Sequence, residues 1–175
     1  GLSFVVVATG HYVPGAFCYG PSGPGAAIRF VGVYVMCFLR GAEAAGFAPP
    51  AQMLQNGLCN LQKMVTRDPK SFSDAQTLAY AIYILTREGV ITTNYILNLR
   101  DYLDKKHARE WQDDAAGVYL AGALHLLHKD GDAEKLIGQY QIERKQARLC
   151  DDFHQVLGTN SQYIAVLARE FPGRL

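Results

Sequence analysis

The chain has no pair of cysteines at CxxC spacing, no charge excess and no apolar run long enough to cross a membrane. Its four cysteines, Cys18, Cys37, Cys59 and Cys150, are widely separated, which argues against a zinc knuckle or a dithiol redox motif. Nothing in their spacing supports a disulfide, and unpaired thiols ordinarily pack as small hydrophobes. Lysine and arginine number 17 against 16 aspartates and glutamates, so no electrostatic footprint for nucleic acid or an anionic membrane exists. The longest early apolar run, residues 4–8, is far too short for a bilayer span. HExxH, GxSxG, P-loop and GxGxxG contexts are all missing, which removes the usual local signatures of hydrolases, kinases and dinucleotide enzymes. No catalytic, cofactor-binding or metal-ligating residue is assigned, and no cofactor is expected.

What is present is apolar and helical. Hydrophobic residues make up 49% of 175 positions and charged residues 19%, enough for a real core and against disorder. The length suits a single domain or part of one. The first residue is Gly1 and LSFVVVA follows at once, as if in the middle of an element, so the expectation is a segment of a longer chain. Residues 3–8 are the one stretch where the pattern allows a short N-terminal strand. Residues 10–25, GHYVPGAFCYGPSGPG, have the Gly and Pro punctuation of a loop. Residues 1–25 therefore form a lead-in, with Tyr12, Phe17 and Tyr19 as an aromatic plug for the end of a helical ring, the alternative being a binding loop.

Beyond it, helix follows helix. Residues 26–46 carry Phe30, Val31, Tyr34, Val35, Phe38 and Leu39 at helical spacing, closed by Gly46. Pro49 and Pro50 suit the first turn of the next helix, whose stripe is Leu54, Leu58, Leu61 and Val65. Ser73 with Gln76 makes a capping-box pattern ahead of Leu78, Ala81, Ile82 and Leu85, and Gly89 closes that helix. Thr92 or Thr93 caps the next, with Ile96, Leu99 and Leu103 inward. Trp111 packs back on a turn, and Asp113 caps a helix facing inward through Leu120, Ala123, Leu124 and Leu127, stopped by Gly131. Asp132 starts another helix, through Leu136, Ile137 and Tyr140. Residues 139–148 are polar and read as an exposed extension with a solvated charged face. The last helix runs over residues 161–171 to Pro172.

The expected stops Gly46, Gly89, Gly131 and Pro172 lie 43, 42 and 41 residues apart. The residues four and seven before each stop are all apolar: Ala42 and Leu39, Leu85 and Ile82, Leu127 and Leu124, Ala168 and Ala165. A period near forty with two helices per repeat describes a helical-hairpin array, in which each hairpin can bury its stripe only against a neighbour. Ala79, Ala81, Ala115, Ala116, Gly117, Ala121 and Gly122 cluster in the first helix of the hairpins and allow close contact in a crowded inner row. The fold expected is all-α, with helical hairpins stacked as an open solenoid or as part of an α/α toroid. A partial ring leaves an apolar end that a second copy or the N-terminal residues would cover.

Specific strings then carry a resemblance. GAFCYGP is similar to the Gly-aromatic loop between helices of α/α toroids. VYVMCFLRGAEAAGFAPPAQMLQNGL, AYAIYILTREGVI and EWQDDAAGVYLAGALHLLHKDGDAEKLI resemble, in order and spacing, the thioester-containing domain of bacterial alpha-2-macroglobulins over residues 15–172. The resemblance implies the later half of that toroid, in a large periplasmic parent, often lipid-anchored, that serves bacterial defence by trapping proteases. Proteases and the parent's other domains would be its partners, with no nucleic acid and with membrane contact only through an anchor outside this segment. The family's thioester motif, Cys, any residue, Glu, Gln after a Tyr-Pro-Tyr-Gly-like turn, lies upstream of the matched region.

NGLCNLQ, residues 56–62, has the Cys-to-Gln spacing in Cys59 and Gln62. Leu61 stands where the family has Glu, the Tyr-Pro turn is absent, and Leu61 belongs to an apolar helical stripe. The reading is a packed or half-buried Cys59 thiol with Gln62 facing solvent. Cys150, Asp151, Asp152 and His154 offer metal-ligand types but read as a polar turn or cap. Asp113 and Asp114 read as a helix cap rather than half of an acid-rich cyclase motif. His125 and His128 have no third ligand at a sensible distance, and His11 and His107 are isolated. The segment is expected to be a non-enzymatic scaffold of a protease trap. The alternatives are a toroid-fold terpene cyclase or prenyltransferase, and a helical-repeat module that holds a peptide.

Overall fold

A computed structural model describes residues 29–108, 110–140, 142 and 156–174. Among these every regular element is helical and no strand occurs, so the fold is all-α. The expected strand at residues 3–8, the lead-in at residues 1–25 with its aromatic plug, and the 143–148 part of the polar extension lie outside the described residues. The chain divides into two compact units, Gly1–Arg67 and Asp68–Leu175.

The first unit contains α1, Arg29–Ala44, and α2, Ala51–Val65. α1 ends where expected. Gly46 takes φ of +89°, and the Phe47 amide returns to the Ala42 carbonyl at 3.0 Å, which satisfies a carbonyl that the helix end would orphan. Both Pro49 and Pro50 precede α2, with Pro50 at the N-cap. α1 and α2 pack on each other through Val33 and Met36 against Leu54, Gly57, Leu61, Met64 and Val65, all buried. Gly57 gives Met36 its room: a Cβ would lie 2.0 Å from Met36 Sδ, so the methionine side chain would have to move. The α1 face differs from the expectation, since Tyr34 and Phe38 are about half exposed. α1 is apolar nearly all round, so its periodicity has more than one solution and packing chooses between them.

The second unit holds α3, Phe72–Arg87, α4, Thr93–Lys106, α5, Ala115–Leu126, α6, Asp130–Ile137, and α7, Val156–Glu170, followed by a 3-10 turn, Pro172–Arg174. α3 pairs with α4 and α5 with α6, and α5 packs against α3 on one side and α7 on another. These are the expected hairpins. Every residue of α5 from Ala115 to Leu124 is buried, which is why its sequence is almost free of charge. α4 instead buries only Ile96, Leu99 and Leu103 and keeps a polar outer face.

Caps set the register. Ser71, not Ser73, is the N-cap of α3: its Oγ accepts from the Asp74 amide at 3.1 Å, while Asp74 Oδ2 accepts from the Lys70 amide at 3.0 Å. This is a variant of the capping box in which the side chain at the third helical position, Asp74, takes the amide of Lys70, one residue before the cap. Asp114, not Asp113, caps α5, accepting from the Ala116 amide at 2.9 Å. Ser71 and Asp114 are 43 residues apart, the period the sequence suggested. α3 stops at Gly89, φ +80°, with Val90 bonded back to Leu85 at 3.1 Å. α5 stops earlier than expected, at His128, φ +58°, with Lys129 bonded back to Leu124 at 2.9 Å. Gly131 lies inside α6, because Asp130 and Asp132 favour a helix N-terminus at that point. α7 begins at Val156, ahead of the expected Ser161.

Candidate functional site

Cys59 and Gln62 sit on α2, a continuous helix from Ala51 to Val65, and both side chains are exposed. The thiol is free and more accessible than the packed or half-buried state expected. Leu61 between them is 3% exposed, so the segment is held as a regular helix by its apolar stripe. No sharp turn brings the Gln62 amide to the thiol. Cys37, also a free thiol, is partly buried on α1.

Asp114 and His125 are engaged in structural bonds. Asp114 caps α5 and also accepts from Gln76 Nε2 of α3 at 3.0 Å, so one carboxylate ties two helices together. His125 Nδ1 meets Asp130 Oδ1 at 2.7 Å, across the α5–α6 turn, and its ring lies 4.9 Å from that of Phe171. His128, three residues on, is exposed and ends α5. No group of three or more potential metal ligands occurs among the described residues. His107 contacts the rings of Phe72 and Tyr102. Trp111 is buried where expected, its Nε1 donating to Asp104 Oδ1 at 2.9 Å. Cys150, Asp151, Asp152 and His154 lie outside the described residues.

The most polar buried cluster was not anticipated. Tyr83 on α3 donates its hydroxyl to Glu170 Oε1 on α7 at 2.7 Å, and Glu170 is only 9% exposed. Burial, then the bond to Glu170 and its negative charge, push the Tyr83 hydroxyl far above its ordinary pKa, with Arg87 and Arg169 opposing weakly. The Arg87 guanidinium carbon lies 5.7 Å from the Tyr83 ring centre. Tyr119 of α5 stacks on Tyr80 at 4.3 Å and reaches Tyr83 at 6.1 Å. The clue was in α7: Glu170 stands in line with Tyr163, Val166 and Leu167, on the buried stripe of the helix. A second buried pair, Thr86 Oγ1 to Thr92 Oγ1 at 2.6 Å, closes the α3–α4 turn. Such groups are stable inside only because they satisfy one another.

The bonds of Tyr83 to Glu170, Thr86 to Thr92 and Gln76 to Asp114 tie neighbouring helices and caps of a helical-hairpin module together. Comparison with known proteins supplies the family. The chain is 37% identical over 146 residues to an alpha-2-macroglobulin of Rickettsia conorii, 33% over 150 to an alpha-2-macroglobulin homolog of Yersinia pestis and 32% over 158 to an alpha-2-macroglobulin of Pasteurella multocida. Each match covers 83% of this chain and 8% of the relative. The chain is a segment of the alpha-2-macroglobulin family. No family model matches it, and no solved structure does.

Proposed function

We propose that this segment is a scaffold in the later half of the thioester-containing domain of a periplasmic alpha-2-macroglobulin-like protease trap, with no covalent chemistry of its own. The observation that carries the reading is the match to three bacterial alpha-2-macroglobulins across 83% of the chain. The local geometry supports the scaffold part: Cys59 and Gln62 lie on a continuous helix, Asp114 caps α5 and His125 clasps Asp130 across the α5–α6 turn. A deep prenyl pocket is disfavoured at the α3–α5–α7 contact, where Gly122 leaves no room for even a Cβ between Tyr83 and Val166.

The test uses the complete protein mixed with a protease. A trap encloses the enzyme, so hydrolysis of a large protein substrate falls while hydrolysis of a short peptide persists. Cys59→Ser leaves that ratio unchanged. Loss of protease conjugates in Cys59→Ser would overturn the scaffold reading. Equal inhibition of large and small substrates would overturn the trap.

A further inference from the structure

α2 ends at Val65 and α3 begins at Phe72, and the boundary of the two compact units falls after Arg67, in the linker that joins these helices. The linker residues are Thr66, Arg67, Asp68, Pro69, Lys70 and Ser71, and all but Pro69 are exposed. Pro69 has no amide hydrogen to carry a helix onward, and it drives Asp68, just before it, away from helical backbone. Two cations, Arg67 and Lys70, therefore stand three residues apart in exposed chain that belongs to no regular element.

The bonds around the linker leave its middle free. On the α2 side, Thr66 Oγ1 donates to the Lys63 carbonyl at 2.9 Å and the Arg67 amide to that of Met64 at 3.2 Å. On the α3 side, the Lys70 amide donates to Asp74 Oδ2 at 3.0 Å and the Asp74 amide to Ser71 Oγ at 3.1 Å. Each of these bonds closes on its own side of Asp68 and Pro69. Other basic residues are held differently: Lys63 lies within α2, Arg87 in the last turn of α3 and Arg100 within α4. A protease needs several residues of its substrate to leave such a helix before it can reach the bond. The second unit also has a core of its own, with Ile82, Leu85, Ile96, Leu103, Leu120 and Ile137 all buried.

We propose that the Thr66–Ser71 linker is a cleavage site for a protease that selects a basic side chain, cutting after Arg67 or Lys70. Water adds across the peptide bond: the carbonyl carbon of the basic residue takes the hydroxyl and becomes a carboxylate, and the nitrogen of the next residue takes the proton and becomes an amine. Exposed polar chain between capped elements is where such nicking concentrates. The second unit stays folded after the cut, because its caps and core lie C-terminal to the linker. The proposal needs only a protease of this specificity and not the trapping role, so either can fail alone.

The test treats the native 175-residue chain with trypsin and identifies each new N-terminus by mass. Termini at Asp68 or Ser71 appear at least about tenfold faster than those that follow Lys63, Arg87 or Arg100, because fraying a linker costs far less than opening a helix. About 1 M urea leaves the linker rate nearly unchanged, since little surface is exposed by the opening, and speeds the helix cuts. Trp111, the chain's single tryptophan, is 1% exposed in the second unit, and its emission after the linker cut remains that of a buried indole. Replacing both cations, Arg67→Gln with Lys70→Gln, removes the early cut and leaves the melting temperature of the uncut chain unchanged. Linker cuts no faster than those in the helices, or accelerated by urea in step with them, would overturn the proposal. A red shift of Trp111 on cleavage would overturn it too, since the second unit would then need the intact linker.

Discussion

Replacing Tyr83 by Phe removes one oxygen from the contact between α3 and α7 and leaves the ring in place. The Glu170 carboxylate, 9% exposed, then loses its 2.7 Å donor. A hydrogen bond to a charged group contributes about 1.5–3 kcal/mol, and losing it from a buried acceptor lies at the upper end. For a chain of this size that corresponds to a melting temperature lower by roughly 4–12 °C. The loss depends on pH in a defined direction. The folded Tyr83 hydroxyl titrates above its ordinary value of 10.0 because of burial and Glu170. A raised folded value means that the full contribution is present below about pH 10 and is lost as pH rises toward the folded value. Above about pH 10 the unfolded tyrosine ionises while the folded one does not, so wild-type stability falls by about 1.4 kcal/mol per pH unit from this group. The Tyr83→Phe variant has no hydroxyl to ionise at this position. Urea unfolding of both proteins at about pH 8, 10 and 11.5 should therefore show a gap of about 2–3 kcal/mol that closes by roughly pH 12. A gap that stays constant, or widens, with rising pH would refute the assigned pair.

Three further outcomes follow from the same geometry. Gly117→Ala puts a Cβ 2.7 Å from the Gln112 carbonyl oxygen and 2.9 Å from that of Trp111; backbone cannot yield as a side chain does, so urea unfolding shows a loss of about 2–3 kcal/mol. Asp114→Ala removes the α5 cap and the acceptor for Gln76, and thermal melting reports a loss of about 1–2 kcal/mol. Exposed Cys59 is alkylated by iodoacetamide in the native 175-residue chain, and methylamine adds no mass there; a mass gain with release of a thiol at Cys59 would show a thioester after all.

The hairpins were legible because their rule is local. Apolar stripes at helical spacing and stops near a 43-residue period point to paired helices, and Ile96, Leu99, Leu103, Leu136 and Ile137 are buried as that pattern requires. Positions that depend on choice among equals were less legible. α1 is apolar on most faces, so Val33 and Met36 could be separated from Tyr34 and Phe38 only by the packing of α2. Ser71 and Ser73 are both plausible caps, and the bond from the Asp74 amide to Ser71 Oγ decides between them. Glycine is the usual left-handed residue, so the sequence points to Gly131 for the α5 stop, whereas His128 takes that role. The Tyr83–Glu170 pair joins residues 87 positions apart, beyond any local pattern, although an acid on the inner stripe of α7 marked one end of it.

His128 bears a side chain in a conformation that Gly46 and Gly89 adopt freely after α1 and α3. A left-handed backbone costs an ordinary L-residue about 1–2 kcal/mol, a penalty glycine escapes. The bend between α5 and α6 therefore holds a small elastic load, balanced by the return bond from Lys129 and by the clasp of His125 on Asp130. Of the three bends closed this way, it is the one where trading a side chain for none would tighten the molecule.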